Sequence, residues 1–134
     1  MIPVLVDSNV ILDVATLDPV WAVWSGDALS QAADTAVLVI NPLIYAEVSV
    51  GYGRIEELEA ALADGFRRDP LPWEAAFLAG KCFADYRRRG GDRRSPLPDF
   101  YIGAHAAVAG FRLLTRDVTR YRSYFPGVPL IHPI

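Results

Sequence analysis

Hydrophobic positions along this chain follow two rhythms. Short runs that are apolar throughout predict strands: "VLVD" (4–7), "AVLVI" (36–40), "FRLLT" (111–115) and "VPLI" (128–131). Between them, apolar residues recur at a period near 3.6 and predict helices. These are "SNVILDVA" after Asp7, residues 19–34, "LIYAEVSVGY" with Asn41 as cap and Pro42 at its first position, 54–66 and 73–89. The helices 54–66 and 73–89 are separated by "RRDPLP", and "GGDRRSP" reads as a loop. A helix from Asp99 to Gly110 and a short one over "DVTRYRSYF" complete the pattern. Apolar strands separated by helices predict an α/β fold, three layers deep, with a central parallel sheet of four to five short strands covered on both faces. No internal repeat, low-complexity segment or domain boundary interrupts residues 1–134, so one domain is expected.

Composition narrows the class. Mean hydropathy is +0.21, yet charges, Gly or Pro break every apolar run well short of the roughly 20 residues a bilayer requires, so no membrane role is expected. "MIPVLVDSNVIL" has no basic stretch before its apolar run and no small-residue cleavage site, and the lone Cys82 cannot close an internal disulfide. Both features point to a reducing cytoplasm, with Cys82 a small core residue. The net charge of −3 argues against nucleic-acid binding through bulk charge. That average hides a division: residues 1–86 carry −9 and residues 87–134 carry +6. Arg87, Arg88, Arg89, Arg93 and Arg94 lead directly into Asp99. Arginine's planar fork suits phosphate, although cations also favour a helix C-terminus for its dipole alone.

Asp99 stands between a proline and the small apolar residues Ile102, Gly103, Ala106 and Ala107, so an acid shares a face suited to a core. In open parallel sheets ligands bind at the C-terminal ends of strands, near the switch in strand order. Asp7 ends the first strand, Asp117 follows the third long one, and Asp99 opens the helix leading to it, which places three acids on one rim. Glu47 has Leu43, Ile44, Val50 and Gly51 as helical neighbours, an apolar stripe on which a lone anion is costly. Separately these acids read as a strand-end turn, two helix starts and a partner for some arginine. Jointly, like charges about 4 Å apart repel by roughly 4 kcal/mol at an effective dielectric near 20. Either protons are shared or a divalent cation sits among them. Hard oxygen ligands without a Cys or His pattern at zinc spacing favour Mg²⁺ or Mn²⁺.

In order and spacing, "VLVDSNVIL", the acid in "NPLIYAEV", "PLPDFYIGAHA" and "LLTRD" resemble the PIN-domain ribonucleases, in particular the VapC-type toxins of bacterial toxin–antitoxin pairs. The resemblance implies a PIN-like fold and a metal-dependent endoribonuclease. It implies that Asp7, Glu47, Asp99 and Asp117 form the catalytic metal site, with Asn9 orienting Asp7 and Thr115 bracing the site. Ser8 is expected at the cap of the following helix, Asp13 is a weaker candidate, and His105 and His132 are not needed as bases. It also implies an RNA substrate, a homodimer, and a VapB-type antitoxin that inserts a basic side chain into the acidic pocket. Arg87, Arg88, Arg89, Arg93 and Arg94 would hold the RNA backbone outside that pocket.

Other readings stay open at this point. A phosphotransfer domain also uses acids at strand ends, but two Asp separated by one residue are missing after "VLV", and the only lysine, Lys81, lies mid-helix. A catalytically inactive PIN-like binding module and a nuclease acting on ribosomal precursors or DNA are the remaining alternatives. Trp21, Trp24, Tyr45, Tyr52, Trp73 and Phe77 recur at spacings that favour core packing over base stacking.

Overall fold

In a computed structural model, which describes residues 1–62 and 65–134, β1 (Val4–Val6), β2 (Leu38–Ile40), β3 (Arg67–Arg68), β4 (Arg112–Leu114) and β5 (Leu130–Ile131) form one parallel sheet in the order β3-β2-β1-β4-β5. Seven helices connect and cover it: α1 (Ser8–Ala15), α2 (Ala22–Thr35), α3 (Pro42–Ser49), α4 (Ile55–Leu62), α5 (Trp73–Arg88), α6 (Pro98–Ala109) and α7 (Thr119–Tyr124). Successive strand residues point to opposite faces, and all three residues of both β1 and β2 are buried. Both faces of the sheet are therefore covered, giving the expected α/β/α layering.

Strand order reverses beside β1. From β1 the chain steps outward to β2 and β3, then returns to place β4 on the other side of β1. Val6 pairs with Leu114, so the residues that follow, Asp7 and Thr115, leave the sheet side by side. The Asp7 amide donates to the Leu114 carbonyl at 2.9 Å.

Boundaries depart from the sequence reading where local chemistry intervenes. Residues 19–21 stay outside α2 because the Asp18 carboxylate accepts from the amides of Val20 and Trp21, both at 2.9 Å, and holds a turn. As expected, Asn41 caps α3, accepting from the Ile44 amide at 3.0 Å, with Pro42 in the first turn. That helix stops at Ser49, which leaves Val50 exposed and removes half of the apolar stripe expected around Glu47. The helix expected over 54–66 is seen to Leu62; its continuation through 63–64 lies outside the described residues. The segment "RRDPLP" opens within β3, an edge strand pairing Val39 with Arg67 and Ile40 with Arg68. Gly110 ends α6 in the left-handed conformation, φ 74°, which glycine adopts without penalty. Trp73 and Phe77 are 88% and 68% exposed, so these two aromatics lie outside the core. Cys82 is half-buried against it. Among the described residues no helix is long and apolar enough to cross a membrane.

Candidate active site

Asp7 is the centre of the site and its most enclosed acid, 4% exposed. It also caps α1, its Oδ1 accepting from the Ser8 amide at 2.8 Å, so the acid and not Ser8 occupies the cap. Its Oδ2 accepts from two hydroxyls, Thr115 Oγ1 at 2.9 Å and Tyr121 at 2.8 Å. Two donors saturate that oxygen and hold the carboxylate in one orientation. Burial nevertheless raises the Asp7 pKa above the ordinary carboxylate value; the bonds from Tyr121, Thr115 and Ser8 oppose the shift, and Asp117 adds to it.

Thr115 does brace Asp7, whereas Asn9 works at one remove. Asn9 Nδ2 donates to Thr115 Oγ1 at 3.3 Å and its Oδ1 accepts from the Arg116 amide at 3.4 Å; it forms no bond to Asp7 itself. Thr115 has one hydroxyl proton, given to Asp7, so the amides of Asn9 and Asp117 donate to its oxygen, the latter at 3.2 Å. The donor of Asn9, its Nδ2, is thus turned to Thr115, so Asn9 supports Asp7 only through that hydroxyl.

Glu47, half-buried in the last turn of α3, is held by Ser8, whose hydroxyl donates to Oε1 at 2.9 Å. Burial raises the Glu47 pKa, Ser8 opposes, and the charges of Asp7 and Asp99 add to the rise. Asp99 sits in the first turn of α6, and its pKa is raised by burial and by Asp7, with Arg120 pulling it down and Asp117 pushing it up. Asp117 lies exposed at the start of the segment leading into α7, its Oδ1 accepting from the Thr119 amide at 3.3 Å. The four acids therefore share one rim and interact as like charges. Among the described residues no group of three or more acids, histidines or cysteines is already drawn together around a point where an ion would sit. Hydroxyls link the acids: Ser8 Oγ reaches Asp7 and Glu47, and the Tyr121 hydroxyl reaches Asp7 and Asp99.

Tyr121 is a site residue the sequence reading missed. Its ring is buried, and its hydroxyl reaches Asp7 and, at 3.5 Å, Asp99 Oδ1. Burial, Asp7 and Asp99 push its pKa well above the ordinary phenol value, so it acts as a donor. Its position, four residues after Asp117 in a short helix, carries no local sign of this role, because the groups its hydroxyl meets come from the end of β1 and from α6.

Remaining candidates fall outside the rim. Asp13 is buried and spoken for, accepting from Ser25 Oγ at 2.8 Å and from Arg116 Nε and Nη2 at 2.7 and 3.0 Å. His105 is buried in α6 with Nδ1 accepting from Asn41 Nδ2 at 2.9 Å, and burial lowers its pKa. His132 meets Arg122 Nη2 at 3.0 Å near the C-terminus. Of the arginines expected to hold RNA, Arg88 and Arg89 pair with Asp85 at 3.6 and 2.9 Å, and Arg87 Nη1 donates to the Arg93 carbonyl. Arg93 and Arg94 are exposed on the loop before α6.

Comparison with solved structures shows the same fold elsewhere. VapBC2 from Rickettsia felis, described as bound to a promoter DNA fragment, superposes with a TM-score of 0.75 at 15% identity, covering 98% of both chains. A toxin–antitoxin complex from Klebsiella pneumoniae gives 0.71 at 22% identity and 98% coverage of both. VapBC from Salmonella typhimurium, described as DNA-bound, gives 0.70 at 17% and 98% of both. No curated protein is matched in sequence. The PIN domain family model matches residues 4–123, from the first residue of β1 into α7, and so spans every acid of the rim. By that match the chain belongs to the PIN domain family.

Proposed function

We propose that this PIN domain is a metal-dependent endoribonuclease acting as the toxin of a toxin–antitoxin pair, with residues 1–134 working as one nuclease unit. One observation carries the reading. Asp7, Glu47 and Asp99 repel one another, each is harder to ionise than an ordinary carboxylate, and among the described residues none has a cation within 4 Å. A cluster of hard anionic oxygens with no cation in contact fits Mg²⁺ or Mn²⁺ in charge and donor type. Asp7, Glu47, Asp99 and Asp117 would hold it. Bound there, a divalent ion would supply Lewis-acid chemistry, lowering the pKa of a water and offsetting charge on the departing oxygen of a phosphodiester.

The chain's own contribution is positioning. Thr115 and Tyr121 lock Asp7 through Oδ2, the Ser8 amide anchors Oδ1, and the Ser8 hydroxyl ties Glu47 to the start of α1. Asp99 approaches from α6 and Asp117 from the β4 end, so an RNA strand crossing the rim meets acids from four elements. Hydrolysis would leave a 5′-phosphate and a 3′-hydroxyl. A VapB-type antitoxin and a homodimer are proposed as partners; the fold shared with VapBC complexes supports the first.

The alternative is a PIN module that binds RNA or protein without cutting. The deciding experiment is cleavage of labelled total RNA by antitoxin-free protein with Mg²⁺, Mn²⁺ or EDTA, with Asp99→Asn alongside. Discrete fragments that vanish with EDTA and in the variant are expected. Intact RNA in every lane, with folded and metal-loaded protein, would overturn the ribonuclease reading and leave the binding module or a nuclease acting on DNA.

A further inference from the structure

The rim continues, on the side of Asp99 and Asp117, into a cavity of about 420 Å³ bounded by α5, α6 and α7. Its wall is mixed in a way the acids alone do not explain: Tyr86 and Arg120 line it with the two acids, and Thr119 and Ser123 add hydroxyls. Arg120 is the unusual member. Its guanidinium carbon lies 5.4 Å from the ring centroids of both Tyr86 and Phe100, so two aromatic rings brace it. It stands near enough to Asp99 to lower that residue's pKa, yet among the described residues it has no carboxylate within 4 Å. An arginine serving only to neutralise Asp99 would close that gap with a forked bond.

Neighbouring arginines show what a committed guanidinium looks like here. Arg116 forks onto Asp13, Arg88 and Arg89 converge on Asp85, Arg87 donates to a carbonyl and Arg122 to His132. Arg120 is pre-ordered by its rings while its donors stay open to the cavity. A braced, unpaired fork loses little side-chain freedom on binding, and its geometry matches a phosphate. The rim acids repel a phosphate, and Arg120 lines the same cavity as the cation that offsets them.

We propose that Arg120 holds the phosphate of the nucleotide next to the cleaved bond, and that the cavity it shares with Asp99, Asp117 and Tyr86 is the seat of that nucleotide on a single-stranded RNA. This rests on the ribonuclease reading above. Arg120 is a substrate-positioning residue, and its contribution appears in binding, not in the chemical step.

The test compares wild type, Arg120→Gln, Arg120→Lys and, as a surface control, Arg54→Gln. Each is titrated with a fluorescently labelled single-stranded RNA in EDTA across a range of salt, and assayed for cleavage with Mg²⁺ or Mn²⁺. Removing one charged hydrogen-bonding contact predicts about a tenfold loss of affinity. The slope of log affinity against log salt should shrink by about 0.7 for the lost phosphate contact. KM should rise by a similar factor with kcat nearly unchanged. Arg120→Lys should keep the salt slope and lose part of the affinity, which a folding defect would not reproduce, and Arg54→Gln should match wild type. Wild-type slope and affinity in Arg120→Gln, beside normal cleavage by wild type, would overturn the assignment of Arg120 alone. Wild type that neither binds nor cuts RNA would overturn the ribonuclease reading and this inference with it.

Discussion

Replacing Tyr121 with phenylalanine deletes one oxygen and leaves the buried ring in place, so it isolates the hydroxyl that meets Asp7 Oδ2 at 2.8 Å. No cavity of consequence forms, and the effect is that of one donor lost to a buried anion. Hydrogen bonds to charged groups contribute about 1.5–3 kcal/mol, and Asp7 keeps Thr115 and the Ser8 amide, so about 2 kcal/mol is the expected loss near neutral pH. For a chain of this length that lowers Tm by roughly 8 °C. The pH dependence follows from the direction of the Asp7 shift. Its folded pKa already lies above the unfolded value, so its contribution to stability is complete below the unfolded pKa and is lost as pH rises through the folded one. Without the Tyr121 donor, the ionised form is less favoured still, and the variant loses more over the same rise. In acid, where Asp7 is protonated, the deleted bond is a neutral one and the difference shrinks to about 1 kcal/mol. Urea unfolding of both proteins across this pH range measures it. A loss below about 0.5 kcal/mol near neutral pH, or one that stays constant into acid, would refute the account of Asp7 as a buried anion held by this hydroxyl.

Three further outcomes are expected. Asp99→Asn in EDTA should raise Tm near neutral pH, because it removes a like charge from Asp7 and Glu47, and its advantage over wild type should narrow as pH falls and those acids take up protons. Asp13→Asn should cost about 3 kcal/mol by urea unfolding, since it breaks a forked pair whose acid is 3% exposed and leaves Arg116 short of its partner. Adding Mg²⁺ at a hundredfold over its Kd should stabilise wild type by about 2.7 kcal/mol, and Asp7→Asn should not respond; equal responses in a melting assay would place the ion elsewhere.

What could be read from sequence was whatever a short stretch of chain specifies by itself. "VLV" and "LVI" are apolar on both faces because they are covered strands, and Asn41 with Pro42 carries its own capping chemistry. β3 was invisible because two exposed arginines on a sheet edge carry no apolar signature; only the pairing with Val39 and Ile40 makes them a strand. The acids were legible as strand-end and helix-start residues. Their supports were not, because each crosses the chain: Ser8 reaches Glu47, Tyr121 reaches Asp7, and Asn9 reaches Thr115 before Asp7. Gly103 is another such case. A Cβ there would collide with the Phe125 ring, a constraint set by how α6 meets the end of α7 and by nothing in the local sequence.

The central position of β1 has a consequence for how the molecule is made. Asp7 emerges among the first residues of the chain, but the strand beside it and the hydroxyl that braces it come 108 positions later. At roughly 5–20 residues per second, a ribosome needs about 5–20 s to supply them. Throughout that interval β1 lacks one of its two neighbours and Asp7 lacks both of its hydroxyl donors, so a nascent chain carries the acid without the site. The acidic rim is thereby completed only when translation of the domain is nearly finished, and a chain truncated before Thr115 lacks both hydroxyls that hold Asp7.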